Sequence, residues 1–191
     1  MKLPDTLTKP LTRAGLRVSF KLASTLPLPL PVLRGLLDAG ARVFRPRGDV
    51  LIEQATLGGL PAERITPAGQ PGRVLLHFHG GAFFAGSARS HRALGSELAA
   101  RSQAVVYLPD YRKAPEHPYP AALEDALQAY RSLLAQGWST SQIVLGGDSG
   151  GCALIVALAI ALRDDGQALP AGLVMISPYL DLSLSQPSVR A

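Results

Sequence analysis

The sequence predicts an α/β architecture, a mostly parallel sheet with helices on both faces, preceded by a short helical segment. Three observations predict it. Strand-like and helix-like runs alternate from residue 73 onward. One apolar run ends in a glycine-rich turn, His79-Gly80-Gly81-Ala82-Phe83-Phe84. Another, Gly147-Asp148-Ser149-Gly150-Gly151, lies between a strand-like and a helix-like run. Alternation of this kind yields parallel strands, because each crossover helix carries the chain back to the edge where the last strand began.

The elements follow in order. Leu26-Pro27-Leu28-Pro29-Leu30-Pro31 divides the front of the chain, since no helix runs through alternating prolines. Short helices are expected on either side, over Leu11–Ala23 and Val32–Phe44. The texture changes at Val50, which separates residues 1–49 from 50–191. Val50–Leu57 and Ala62–Thr66 read as a strand pair joined at Gly58-Gly59. Arg73–Phe78 is an apolar strand entering the first glycine-rich turn. Ser90–Arg101 has helical spacing, and Ala104–Leu108 is the next strand. Ala121–Ala135 is a helix with Leu123, Leu127, Tyr130 and Leu134 on one face. Gln142–Leu145 is a strand, Gly150–Leu162 a helix and Gly172–Ser177 a further strand. The helix over Cys152–Leu162 is apolar all round and is therefore expected to be buried.

Composition narrows the function classes. At 191 residues, with 47% hydrophobic and 17% charged residues, the chain has enough apolar side chains for one sizeable core. The single cysteine, Cys152, allows no intrachain disulfide, and four scattered histidines with it make no metal cluster. No cofactor is expected. The net charge of +5 is uneven: residues 1–49 hold nine Lys/Arg and three acids, leaving the rest at −1. That front end reads as the solvated face of small helices, with contact to a membrane surface or an acidic partner as the alternative. No stretch has the length of a transmembrane helix, and the prolines spoil the front as a signal-peptide core. The expectation is a cytoplasmic protein with no nucleic-acid partner and no stable membrane insertion.

The two turns carry the chemistry. Gly147–Gly151 is a G-x-S-x-G pattern between strand and helix, the context of a nucleophile elbow. Small residues two positions to either side of Ser149 let strand and helix approach across a strained turn that projects the hydroxyl. The helix that follows places the positive end of its dipole near that hydroxyl. The amide of Gly150 is the natural first donor to an oxyanion, and the His79–Ala82 loop supplies further amides unobstructed by side chains. The substrate expected for such a set is a small-molecule ester, attacked by serine through an acyl-enzyme.

These residues resemble the hormone-sensitive-lipase-like esterases, the GDXG branch of the α/β-hydrolase fold. The likeness runs from about residue 50 to the end in the right order. It rests on Leu75–Phe83 followed by Ser87 and Ser90-His91, on Asp110-Tyr111-Arg112-Lys113-Ala114-Pro115-Glu116, on the Ser149 elbow, and on Ile176–Leu182. The resemblance implies that Ser149 is the nucleophile and that Gly81, Ala82 and Gly150 give the oxyanion amides, with Gly80 shaping the loop. His79 and Asp148 would support that loop, His79 by side-chain hydrogen bonds. Residues 1–49 would form part of a cap. Substrates would carry short to medium acyl chains.

The sequence departs from the family in several places. Ala82 stands where glycine is usual; its N–H survives, so little is lost if its φ is negative. Gly150 replaces alanine, Cys152 a glycine and Lys113 a leucine. In this family the acid follows a seventh strand and the base an eighth, so the resemblance implies a core incomplete at its C-terminal end, with both groups absent. Asp181, after the last strand, is a weak candidate for a displaced acid. His77, His91 and His117 read as structural, Cys152 as packing, and Arg112 with Glu116 as a loop-fixing pair. Two alternatives to a serine esterase stay open: a small-molecule binder on the same scaffold, and an inactive remnant that is poorly soluble or dimerises through its last strand.

Overall fold

The computed structural model describes residues 28–183; the helix expected over Leu11–Ala23 lies outside them. The chain divides after Leu36 into two units. Of the first, Leu28–Leu36 is described and holds the opening turns of α1 (Leu30–Ala41), which buries none of its residues. The second unit carries everything from Leu37 onward.

Six strands form one sheet: β1 (Val50–Leu57), β2 (Leu60–Pro67), β3 (Val74–Phe78), β4 (Val105–Pro109), β5 (Ile143–Asp148) and β6 (Gly172–Ile176), in the order β1-β2-β4-β3-β5-β6. The first two pairings, β1 with β2 and β2 with β4, are antiparallel; the other three are parallel. The β1–β2 hairpin closes through Gly58 and Gly59, at φ +60° and +81°. Positive φ at both central residues is what a tight two-residue hairpin turn needs.

Crossover helices link the parallel strands: α2 (Ala88–Ser102), α3 (Ala121–Ala135) and α4 (Gly150–Asp164). Alternation along the strands sorts the core into two layers. On one face Val74, Leu76 and Phe78 of β3, Val105 and Tyr107 of β4, and Ile143 and Leu145 of β5 pack with Tyr130 and Leu133 of α3 and Leu154, Ile155, Leu158 and Leu162 of α4. On the other, Leu75, Val106, Leu108 and Ile65 pack against Ala88 and Ala99 of α2. Each fully buried Leu or Ile contributes about 1.5–3 kcal/mol. His77 alternates with Leu76 and Phe78, so it shares the α2 face with Leu75.

Two expectations change in detail. The helix after Ser149 runs to Asp164 and is not buried all round: Ile160 is 45% exposed, because only the face toward the sheet and α3 is covered. The loop after β4 is tied to α3. Arg112 Nε donates to Asp125 Oδ1 at 2.9 Å, its N–H donates to Asp125 Oδ2 at 2.7 Å, and its Nη2 reaches Glu124 at 3.0 Å. Both acids lie outside the segment that the sequence pattern singled out for this task.

β6 is an edge strand. Leu173, Val174 and Met175 are 38%, 46% and 41% exposed, although side chains of adjacent residues point to opposite faces. Both faces of this apolar strand are therefore open among the described residues. No described helix is long and apolar enough to cross a membrane, and no described cluster of His, Cys, Asp and Glu could hold a metal ion.

Candidate functional site

Ser149 occupies the single residue between β5 and α4. Its backbone sits at φ 49°, ψ −118°, a region that costs a non-glycine residue about 1–3 kcal/mol. The strain is held from three sides. Ser149 N–H donates to Ile176 O of β6 at 3.0 Å. A Cβ on Gly147 would stand 2.6 Å from the Gly151 carbonyl carbon, and one on Gly151 would overlap Phe78 O. Only glycine lets β5, β3 and the first turn of α4 come so close. The hydroxyl is exposed, and no group among the described residues bonds it.

The opposing loop leaves β3 at His79. Gly81, Ala82 and Phe83 have φ +121°, +50° and +66°, so three successive residues run through left-handed backbone. The positive φ at Ala82 differs from the negative value under which alanine there would be harmless; left-handed backbone costs an alanine about 1–2 kcal/mol. The turn is closed by Ala85 N–H on Gly81 O at 2.9 Å and fixed to the next loop by Ala114 N–H on Phe83 O at 2.9 Å. Ala82 faces the elbow: a Cβ on Gly150 would stand 3.3 Å from Ala82 N and Cα. Among the described residues the N–H groups of Gly81, Ala82 and Gly150 donate to nothing. The Gly150 amide is one of the unpaired donors at the start of α4. Ser149 thus stands beside a concentration of unpaired donors, the arrangement that stabilises negative charge on an oxygen.

Asp148 joins elbow and loop. Its Oδ1 accepts the Gly80 N–H at 3.0 Å and lies 3.2 Å from His77 Nε2; its Oδ2 lies 3.3 Å from His91 Nε2. Burial works to raise the Asp148 pKa, but the hydrogen bonds from His77 and His91 outweigh it and hold the carboxyl well below the usual range. Gly80 is required here, because a Cβ on it would overlap Asp148 Oδ2.

His79 supports the loop from below. It is almost fully buried, and its Nδ1–H donates to Gly80 O at 2.9 Å. Its ring stacks on Tyr111 at 4.3 Å, and Tyr111 Oη donates to His79 O at 2.8 Å. Burial pushes its pKa down to about 3, so the imidazole is neutral, with Nε2 left as an unpartnered buried acceptor.

The other singled-out residues lie elsewhere. His117 is exposed in the proline-rich loop. Cys152 donates its thiol to Gly147 O at 3.0 Å, and burial raises its pKa, as suits a packed thiol. Asp181 follows β6, where its Oδ1 accepts from Ser183 N–H at 3.0 Å and from the Ser183 hydroxyl. Sequence reasoning missed Tyr111 as a support of the loop and His91 as a partner of Asp148. Both sit inside recognised motifs, but only the fold brings Tyr111 at the exit of β4 onto His79 after β3, and His91 of α2 onto the end of β5.

A family profile described as the alpha/beta hydrolase fold matches residues 75–191. An esterase of Acinetobacter venetianus is 40% identical over 179 residues, covering 94% of this chain and 59% of that protein. An acetyl-hydrolase of Streptomyces hygroscopicus is 49% identical over 138 residues, covering 72% and 45%. The crystal structure of a hormone-sensitive lipase from a metagenome library superposes with a TM-score of 0.86 at 38% identity, covering 93% of this chain and 60% of that one. The chain thus spans about 45–60% of the length of these relatives. The chain belongs to the α/β-hydrolase fold family, and the proteins it is similar to within that family include an esterase and a hormone-sensitive lipase.

Proposed function

We propose that the protein is a cytoplasmic carboxylesterase that cleaves esters of short to medium acyl chains through an acyl-enzyme on Ser149. The observation that carries this reading is the exposed, strained Ser149 beside the unpaired amides of Gly81, Ala82 and Gly150. In the proposed step the Ser149 hydroxyl oxygen bonds to the ester carbonyl carbon and gives up its proton to a base. The carbonyl oxygen takes the negative charge and accepts from the three amides. Collapse breaks the bond to the alcohol, which leaves with the proton, and water later releases the acid. One such donor is worth about 3–4 kcal/mol of transition-state stabilisation.

The base and its acid are assigned to the portion of the full-length relatives that this chain does not span. His77, His79 and His91 are committed to Asp148 and Gly80, and the weak candidate Asp181 closes a local turn. That commitment also favours a second reading, a non-catalytic binder of small esters in the same cleft. Hydrolysis of p-nitrophenyl acetate, butyrate and octanoate, by the chain alone and with a separately supplied C-terminal segment from a relative, separates them. Turnover that needs the added segment and vanishes in Ser149→Ala supports the esterase. Saturable binding without turnover in either case supports the binder.

A further inference from the structure

We propose that His91 is a positioning residue for the oxyanion loop, acting through the carboxylate of Asp148; its catalytic meaning rests on the esterase reading above.

The last torsion of an aspartate is broad and nearly two-fold, so one hydrogen bond at one oxygen leaves the group free to swing. Asp148 Oδ1 holds the Gly80 N–H, the peptide group immediately before the proposed donors of Gly81 and Ala82. His77 adds a second contact at the same oxygen, and its side chain is 1% exposed on the inner face of β3. The opposite oxygen, Oδ2, is met by His91 Nε2 from α2. With both oxygens engaged, the plane of the carboxylate is set, and so is the direction in which Gly80 N–H must point.

His91 is itself oriented. Its Nδ1 lies 2.9 Å from Ser90 Oγ and 3.3 Å from Ser87 O, both in the first turn of α2. Ser90 Oγ accepts the Ser87 N–H at 2.9 Å, and its own proton faces two acceptors, Ser87 O at 2.9 Å and His91 Nδ1. With its proton on Nε2, His91 donates to Asp148 Oδ2 and leaves Nδ1 to accept from the Ser90 hydroxyl. The first turn is anchored in turn: Ser87 caps it through Ser90 N–H at 3.0 Å and gives its hydroxyl proton to Asp38 Oδ1 at 2.5 Å. The His91 ring also lies 5.4 Å from that of His79, a second contact with the same loop.

A packing role alone would call for a buried apolar residue. The His91 side chain is 19% exposed and spends both nitrogens on directed contacts.

The test uses the 191-residue chain with His91→Phe, which keeps a ring and removes the donor, and His91→Gln, which returns an N–H near the Nε2 position. Three quantities are read: the Gly80 amide proton shift and its hydrogen exchange by NMR, the rate of Ser149 phosphonylation by a fluorophosphonate, and the melting temperature. The expected result for Phe is an upfield move of the Gly80 amide with faster exchange. Phosphonylation slows by about ten- to a hundredfold at unchanged half-saturation, and Gln restores most of both. A lowered melting temperature with an unmoved Gly80 amide overturns the proposal, as does equal behaviour of Phe and Gln. If the Phe variant does not fold, the wild-type chain decides: absence of a through-hydrogen-bond coupling between His91 Nε2 and Asp148 Cγ overturns it. A wild-type chain that resists labelling counts against the esterase reading, while the Gly80 amide still tests His91.

Discussion

At the scale of single residues, the site is a set of strained or buried groups whose costs are met by specific neighbours. Ala82 carries a φ of +50° that glycine would adopt freely. Ala82→Gly is expected to stabilise the chain by about 1 kcal/mol in urea denaturation; a loss of stability would mean that the alanine methyl has a packing role that outweighs the strain. His79 gives a pH dependence with a definite sign. Its folded pKa of about 3 lies below the unfolded value of about 6.5, so the unfolded state takes up the proton first. The stability that a neutral His79 contributes is present above pH 6.5 and is lost as pH falls toward 3. Asp148, also depressed, adds to the loss below about pH 4. The urea midpoint should therefore decline from pH 7.5 to pH 4.5. His79→Asn, which keeps a donor for Gly80 O, should flatten that decline, and an unchanged slope would remove His79 as its cause. Glycine spacing around a strained turn singled out Ser149, Gly150 and the His79–Ala82 loop, whereas the roles expected of Gly80 and Asp148 came from the family resemblance. His91 and Tyr111 were not, since their partners lie on other elements and no spacing rule reaches across the sheet.

At the scale of elements, glycine close packing and helix capping do the positioning. Ser87 caps α2, accepting the Ser90 N–H while Ser90 Oγ returns to the Ser87 N–H. Ser87→Ala is expected to cost about 1 kcal/mol and to loosen the turn that orients His91. A thermal melt paired with amide exchange along α2 checks it: fraying confined to residues 88–91 is the predicted pattern. Gly58→Ala should cost more than its positive φ alone, because the new Cβ would stand 2.6 Å from the Gln128 carbonyl carbon and oxygen of α3. Parity with an alanine at Gly59, which has nothing within 4 Å, would refute that packing argument. Element types and order were readable from periodicity, and most boundaries lay within two residues. The apolar helix after Ser149 read as buried all round because composition reports hydrophobicity but not how many layers cover a helix. The hold of Arg112 on Asp125 was hidden for a related reason: a charge run does not name its partner.

At the scale of the whole molecule, β2 to β5 hold the core of the sheet, while β6 is open among the described residues. An apolar parallel strand with both faces and one edge exposed is an association site. We propose that the 191-residue chain pairs with a second copy through β6 or is poorly soluble. Val174→Lys should shift light-scattering mass toward the monomer, and a monodisperse wild-type monomer would count against the edge. The central claim, however, is that the elbow and the oxyanion loop make Ser149 a nucleophile. Intact-mass analysis of the folded chain after incubation with a fluorophosphonate tests it most directly. The account predicts slow labelling that reaches one adduct per chain, mapped to the Ser149 peptide and absent from Ser149→Ala. Slow labelling is the rate expected of oxyanion donors acting without a histidine base. A folded chain that takes no label, or takes it equally in Ser149→Ala, would contradict the assignment of this serine.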